Sequence, residues 1–134
     1  MIDATGNVPL ISIVDDDASM RQAMVTLVRS LGFEARSFDS ADRYLSSAER
    51  HETSCIVSDV QMPGTDGLTL QRNLAAQRDR TPIIFITAFP NADAKKRALD
   101  AGAVCYLAKP FDGQTLVNCI ERALRAPRED RDNA

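Results

Sequence analysis

Five short apolar segments alternate with five segments of helical periodicity in this chain, and this order constrains the fold more than any other feature. We predict strands at residues 10–14, 34–38, 55–59, 82–87 and 104–108. Strict alternation of strands and helices indicates a parallel sheet with helices on both faces. The first, third and fourth strands are almost continuously apolar, as expected of strands that are buried on both sides. Right-handed crossovers leave few topologies for such an α/β fold, and a doubly wound, five-stranded parallel sheet of order 2-1-3-4-5 is one of them.

Apolar residues at three- and four-residue spacings predict the helices between these strands. In the first helix the apolar face comprises Met20, Ala23, Met24, Leu27, Val28 and Leu31. In the second helix it comprises Ala41, Tyr44, Leu45 and Ala48. The third and fifth helices are predicted near residues 68–76 and 112–125. Ser40 and Asn91 belong to the residue types that cap helix N-termini, so we expect the second and fourth helices to follow them.

The length of the chain, 134 residues, suits one domain. We predict a lead-in at residues 1–9, the folded domain at residues 10–125 and a disordered tail or linker at residues 126–134, where the sequence is polar. The net charge of −3 gives no reason to expect nucleic-acid binding by this segment. Since we find neither a membrane-spanning apolar stretch nor a secretory signal pattern, we expect a cytoplasmic protein with no membrane partner.

The three cysteines, Cys55, Cys105 and Cys119, cannot all pair within one chain, and no Cys-x-x-Cys motif occurs. All three lie in apolar segments. We therefore expect buried, reduced cysteines that behave as small apolar side chains in a reducing compartment. A zinc site would need more ligands than the sequence offers, because His51 is the single histidine.

Reactive polar residues lie at the carboxyl ends of four predicted strands. Asp15 and Asp16 follow the first strand, Asp59 ends the third, Thr87 ends the fourth and Lys109 follows the fifth. Because the carboxyl ends of parallel strands lie along one edge of a sheet, we expect these side chains to gather there. Clustered carboxylates repel one another unless a proton or cation lies among them, and hard oxygen ligands suit Mg²⁺.

Each of these residues also has an ordinary structural interpretation. An aspartate run after a strand is usually a solvated loop, Lys109 could form a structural salt bridge, and the Thr87 hydroxyl could cap a turn. The convergence of all four strand ends on one point favours a functional site over these alternatives.

The chain resembles the receiver domain of bacterial two-component response regulators over about residues 10–124. The matching segments are Val14-Asp15-Asp16-Asp17, Asp59-Val60-Gln61-Met62-Pro63-Gly64-Thr65-Asp66-Gly67, Thr87-Ala88, Tyr106 and Lys109-Pro110. Each motif is weak alone, but their order and spacing are specific. The resemblance, which extends to the CheY-like superfamily as a whole, implies a flavodoxin-like (βα)5 fold and selects the strand order 2-1-3-4-5. The pattern is also similar to receivers of LuxR/FixJ-type regulators, which precede a helix-turn-helix.

The resemblance implies that Asp59 is the phosphoacceptor, which takes a phosphoryl group from the phosphohistidine of a sensor histidine kinase. It implies Mg²⁺ or Mn²⁺ on the carboxylates of Asp16 and Asp59 and on the backbone carbonyl of Gln61, with Asp15 acting through a metal-bound water. Phosphoryl transfer depends on positioning and charge neutralisation more than on covalent assistance, so this ligand set suits the reaction.

The resemblance also implies a relay. Lys109 is expected to pair with Asp59 and then with the phosphate, and the Thr87 hydroxyl to move onto the phosphate. Tyr106 is then expected to turn inward as the aromatic switch, and the Lys109–Pro110 peptide to be cis. The change would reach the face formed by the fourth helix, fifth strand and fifth helix, where members of this family form homodimers or contact output domains.

Some residues depart from the usual pattern or lie outside it. Asp17 stands where many members carry glutamate, and we expect little effect from the exchange. Phe89-Pro90 follows the Thr87-Ala88 pair, where small or polar residues are common. An exposed Phe89 would indicate a partner surface, whereas a buried one would pack against the sheet. The basic residues of the fourth helix, Lys95, Lys96 and Arg97, are expected on a solvated face.

Three functions follow from these observations. The first is a phosphorylation switch that acts only on its own phosphoryl group, either alone or as the receiver of a DNA-binding transcriptional regulator whose output domain contacts DNA. The second is a small phosphatase with an aspartyl-phosphate intermediate, which the amide Gln61 disfavours because such enzymes usually carry an acid there. The third is a nucleotide or flavin module, which the lack of a glycine-rich loop after the first strand disfavours.

Overall fold

The computed structural model describes residues 8–125 and places five parallel strands in one sheet of order β2-β1-β3-β4-β5. The strands are β1 (Leu10–Val14), β2 (Glu34–Phe38), β3 (Cys55–Asp59), β4 (Ile83–Thr87) and β5 (Cys105–Ala108). The helices are α1 (Ala18–Ser30), α2 (Ala41–Ser46), α3 (Gly67–Ala76), α4 (Ala92–Asp100) and α5 (Gly113–Arg125). The predicted fold class and strand order are confirmed. The predicted tail at residues 126–134, and the lead-in up to residue 7, lie outside the described residues.

Each face of the sheet has its own apolar core, because successive strand side chains point to opposite faces. Helices α1 and α5 cover one face, where Ile13, Val57 and Ile84 lie in the core with Leu116 and Ile120 of α5. Burial of each such side chain stabilises the fold by about 1.5–3 kcal/mol. Helices α2, α3 and α4 cover the other face, whose core is formed by residues including Val14, Ile56, Leu70, Phe85, Ala98 and Tyr106. All residues of β1, β3 and β4 are buried, as their apolar composition predicts.

Side chains cap the helices where the sequence predicts it. The Ser40 hydroxyl accepts a hydrogen bond from the Arg43 backbone N–H, and the Asn91 carbonyl oxygen accepts one from the Ala94 N–H. These bonds satisfy N–H groups that have no partner within the helix. Strands β4 and β5 each begin one residue later than predicted.

Helix α2 is shorter than its apolar spacing predicts. It ends at Ser46, and a 3-10 helix follows at Ala48–Glu52, with the Ser47 hydroxyl accepting a hydrogen bond from the Glu49 N–H. Ala41 and Tyr44 are buried as expected, but Ala48 is exposed, so its assignment to the inner face is wrong. The local hydrogen bond of Ser47 competes with continuation of the α-helix.

The expectation of three reduced cysteines is wrong for Cys105 and Cys119, which form a disulfide across a Cα–Cα distance of 6.3 Å. Helix α5 folds back over the sheet, and this brings its inner face against the start of β5. Cys55 lies outside this disulfide. All three cysteines are buried, as predicted. Within residues 8–125 no helix has the length and apolar character to cross a membrane.

Candidate functional site at the carboxyl edge of the sheet

The strand order gathers the predicted site residues at one edge of the sheet. Strand β1 pairs with β3, and β3 pairs with β4, so the loop that carries Asp15 and Asp16 lies beside Asp59. Strand β5 pairs with β4 with Thr87 opposite Ala108, which precedes Lys109. The five residues that the sequence predicts for one site therefore lie at adjacent strand ends.

Three carboxylates form an acidic cluster in this site. Asp15, Asp16 and Asp59 each offer a carboxylate oxygen, and these oxygens all lie within 4.8 Å of one another. Asp15 is completely buried and Asp59 is 8% exposed, whereas Asp16 is exposed. Oxygen ligands at this spacing could hold a divalent cation.

Lys109 contributes the positive charge that faces this cluster. Its Nζ lies 3.4 Å from Asp15 Oδ2 and 3.4 Å from Asp59 Oδ2, and all three side chains are largely buried. The Lys109 backbone N–H donates to the Thr87 carbonyl oxygen at 2.7 Å, which ties the lysine to the end of β4. The Lys109–Pro110 peptide is cis, as the resemblance implies. One ammonium group is thus shared by two buried carboxylates.

Of the two buried acids of the cluster, Asp59 has fewer side-chain hydrogen bonds than Asp15. Burial raises the pKa of its carboxyl, the positive charge of Lys109 opposes that rise, and the negative charge of Asp15 adds to it. Asp59 Oδ1 is buried and accepts no hydrogen bond of normal geometry from the described residues, although the nearby Gln61 backbone N–H also acts to lower the pKa of the carboxyl. By contrast, Asp15 Oδ1 accepts a hydrogen bond from the Asp17 N–H at 2.9 Å. A buried carboxylate oxygen without a partner is energetically costly, so this atom is suited to a cation or an electrophile.

The loop that follows Asp59 depends on a glycine. The Gly67 N–H donates to the Val60 carbonyl oxygen at 2.8 Å and closes the loop. A Cβ at Gly67 would lie 2.4 Å from the Asp59 carbonyl oxygen and 2.9 Å from Phe85 Cε1, so a larger residue would displace the backbone of Asp59. Asp66 then caps α3 by accepting a hydrogen bond from the Thr69 N–H. The Asp-Gly pair of the motif therefore holds Asp59 in position.

Thr87 is completely buried, and its hydroxyl has two partners. It donates a hydrogen bond to the side-chain oxygen of Gln61 at 2.5 Å and accepts one from the Phe89 backbone N–H at 3.0 Å. The sequence implies only a backbone role for Gln61, and no motif reveals this side-chain contact. Arg21, whose guanidinium donates to the Asp15 carbonyl oxygen at 2.8 Å, lies outside the predicted site residues as well.

The remaining predicted residues lie around the site with different exposures. The Tyr106 ring is buried in the core beneath α2, α3 and α4, and its hydroxyl has no hydrogen-bond partner among residues 8–125. Phe89 is 73% exposed, so of the two alternatives, an exposed side chain or one packed against the sheet, the structure shows the exposed one. Asp17 caps α1 by accepting hydrogen bonds from the N–H groups of Ser19 and Met20, so its carboxylate stabilises the N-terminus of this helix.

Comparison with known proteins identifies the family to which this arrangement belongs. The family model described as the response regulator receiver domain matches residues 11–121. This chain belongs to that family. Nodulation protein W of Bradyrhizobium diazoefficiens is 40% identical to the receiver over 123 residues, which cover 92% of this chain and 54% of that protein. Transcriptional regulatory protein FixJ of the same organism is 38% identical over 115 residues, covering 86% and 56%.

Solved structures of the family agree with the fold of this receiver. The response regulator StyR superposes with a TM-score of 0.85 at 40% identity, covering 94% of this chain and 64% of that one. The structure described as FixJ-N superposes with a TM-score of 0.82 at 30% identity, covering 89% and 95%. The receiver spans about half the length of the curated relatives named above. The chain is therefore a receiver domain of two-component signalling, with transcriptional regulators among its relatives.

Proposed function

We propose that Asp59 accepts a phosphoryl group from the phosphohistidine of a sensor histidine kinase. The Asp59 carboxylate oxygen would form a bond to phosphorus as the phosphorus–nitrogen bond to the histidine breaks, and the imidazole would keep that electron pair. The observation that carries the proposal is the position of Asp59, which is buried beside Lys109 with Oδ1 unpartnered among the described residues. Phosphoryl transfer to a carboxylate requires this combination of a positioned nucleophile and nearby positive charge.

The acidic cluster fits a divalent cation, Mg²⁺ or Mn²⁺. The carboxylates of Asp16 and Asp59 and the backbone carbonyl of Gln61 would hold it, with Asp15 acting through a water. Support comes from the three converging carboxylate oxygens and from the buried Oδ1 of Asp59, which accepts no hydrogen bond of normal geometry within residues 8–125. A bound cation would neutralise the carboxylates and the oxygens of the phosphoryl group. Lys109, which lies between two carboxylates, would form an ion pair with the phosphate.

The proposed signal passes from the phosphate through Thr87 and Tyr106 to the face of α4, β5 and α5. A phosphoryl group adds charge and acceptor oxygens, so a Thr87 hydroxyl that moves onto it would favour a second conformation. The Tyr106 ring is already buried, and its hydroxyl has no hydrogen-bond partner among residues 8–125, so we propose that the ring repacks within the core in response to that change. On this face the α4 cations are exposed, and two of them form exposed pairs, Lys96 with Asp100 and Arg97 with Asp93.

The wider role follows from the relatives. Because the receiver matches about half of regulators such as FixJ, we propose that it controls a transcriptional regulator, with DNA contacted by a separate output domain and homodimers formed on phosphorylation. A receiver that acts alone is the alternative. In either case the domain would act on its own phosphoryl group and would not be a multiple-turnover enzyme. The expected cytoplasmic location stays a prediction.

A titration with beryllofluoride, which mimics a phosphoryl group, tests this proposal. With Mg²⁺ present, we expect the NMR signals of Thr87 and Tyr106 to shift in the unaltered receiver and to stay unchanged in Asp59→Asn. Asp17→Asn is the matched control, because its carboxylate caps α1 and asparagine is an equally good cap. A shift that persists in Asp59→Asn, or no shift in the unaltered receiver, would reject the proposal. Multiple turnover of an aryl phosphate would favour the phosphatase instead.

A further inference from the structure

The hydroxyl of Thr87 carries one proton, and in this structure that proton is already engaged. Thr87 Oγ1 donates to Gln61 Oε1 at 2.5 Å, while the Phe89 N–H donates to the same Oγ1. A hydroxyl can donate only one hydrogen bond at a time. The Gln61 side chain and a phosphoryl oxygen on Asp59 would therefore compete for the same donor.

We infer that the Gln61 side chain acts as a latch that holds Thr87 in the unphosphorylated position. This inference rests on the proposed function, because the competing acceptor is the phosphoryl group on Asp59. It assigns Gln61 a positioning role through Thr87, separate from the metal-binding role of its backbone carbonyl.

The placement of Gln61 suits a latch that opens. Gln61 lies on the loop after β3, two residues beyond Asp59, whereas Thr87 ends the neighbouring strand β4. Thr87 is completely buried, but Gln61 is exposed. When the Thr87 hydroxyl moves away, water can form a hydrogen bond to the released Gln61 amide. Opening therefore leaves no buried, unpaired polar group on the Gln61 side chain. The contact from the Phe89 N–H comes from the backbone and would exist with any residue except proline at position 89, whereas the Gln61 contact depends on the glutamine side chain.

The size of the effect follows from one hydrogen bond. A typical intramolecular hydrogen bond contributes about 0.5–1.5 kcal/mol net, which corresponds to about a two- to tenfold change in an equilibrium constant. Removal of the acceptor should shift Thr87 toward the phosphate by that factor. The latch would thus set how readily the receiver enters its phosphorylated conformation.

The test replaces the acceptor and keeps the shape. In Gln61→Met, we expect beryllofluoride to bind about two- to tenfold more tightly at saturating Mg²⁺, as followed by NMR. The affinity for Mg²⁺ alone is measured in both proteins, and beryllofluoride binding is compared at Mg²⁺ concentrations that saturate each of them. Without beryllofluoride, the Thr87 methyl signal of Gln61→Met should move toward its position in the beryllofluoride-bound, unaltered receiver.

A double-mutant cycle with Thr87→Val assigns the effect to this hydrogen bond, since valine keeps the shape of threonine but lacks the hydroxyl. We expect Gln61→Met to have no effect on beryllofluoride affinity in the Thr87→Val background. An equal effect in both backgrounds, unchanged or weaker binding in Gln61→Met, or an unmoved Thr87 methyl signal would overturn the latch. If the unaltered receiver fails to bind beryllofluoride at all, the proposed function itself fails, and this result is distinct from failure of the latch.

Discussion

Replacement of Lys109 by methionine tests the electrostatics of the site most severely. The substitution keeps a long side chain but removes the ammonium that lies 3.4 Å from Asp15 Oδ2 and 3.4 Å from Asp59 Oδ2. Both carboxylates are buried, with side chains 0% and 11% exposed, so water replaces the lost partner poorly. We expect Lys109→Met to lower the free energy of unfolding substantially when no metal is present.

The magnitude can be worked from these distances. At 3.4 Å and an effective dielectric constant of about 20, each pair contributes about 5 kcal/mol of Coulomb attraction. The desolvation of the ammonium offsets much of this attraction, and removal of one partner from a buried pair typically costs about 3–5 kcal/mol. Asp59 can also protonate in the variant, because its pKa is already raised by burial. We therefore expect a loss of about 3 kcal/mol, at the lower end of that range.

Urea unfolding followed by circular dichroism measures this loss in EDTA and again with Mg²⁺. The matched control is Lys96→Met, which removes a shorter but exposed pair with Asp100, Nζ to Oδ2 2.8 Å, and should cost less than about 1 kcal/mol. Mg²⁺ should stabilise Lys109→Met more than the unaltered receiver, because a cation then replaces the missing charge. Equal stabilities of Lys109→Met and Lys96→Met in EDTA would refute the argument that burial makes the Lys109 pairs strong.

Three further stability predictions follow from the same structure. Asp59→Asn should be more stable than the unaltered receiver at neutral pH without metal. Burial raises the pKa of Asp59, so above that pKa the ionised carboxylate destabilises the folded state. Urea unfolding at a series of pH values should therefore show that the stability advantage of Asp59→Asn shrinks as the pH falls and Asp59 becomes protonated. Gly67→Ala should cost about 1–3 kcal/mol because its Cβ would lie 2.4 Å from the Asp59 carbonyl oxygen. Gly113→Ala is its control, with the Cβ 3.9 Å from Leu27 Cδ1, and should be neutral or slightly stabilising. Leu116→Ala, at a fully buried position, should cost about 2–5 kcal/mol in thermal or urea unfolding, whereas Phe89→Ala should stay within about 0.5 kcal/mol. Equal losses for the two members of either pair would contradict the corresponding packing argument.

The sheet was predictable because each strand signal is local. The apolar runs at 10–14 and 55–59 coincide with β1 and β3, and alternation with helices implies parallel pairing. Parallel pairing in turn places every strand's carboxyl end on one edge, so the convergence of Asp15, Asp59 and Lys109 followed from the strand order. The resemblance supplied the roles of these residues, and those roles stay predictions.

Contacts set by side-chain conformation were not predictable in this way. The hydrogen bond from Thr87 to Gln61 joins the end of β4 to the loop after β3, and it depends on the path of that loop. The disulfide between Cys105 and Cys119 depends on how α5 returns over β5, and spacing in the sequence does not reveal that distance. The early end of α2 depends on the local hydrogen bond that the Ser47 hydroxyl accepts from the Glu49 N–H, which competes with an otherwise good helical pattern.

Phosphorylation of Asp59 is the central claim, and intact-protein mass spectrometry measures it directly. The receiver is incubated with acetyl phosphate and Mg²⁺, and in parallel with EDTA. We predict the mass of one phosphoryl group added to the unaltered receiver with Mg²⁺, and none in EDTA or in Asp59→Asn, whereas Asp17→Asn should be modified normally. A phosphoryl group on Asp59→Asn, or an unmodified receiver that binds Mg²⁺ at the acidic cluster, would contradict the account.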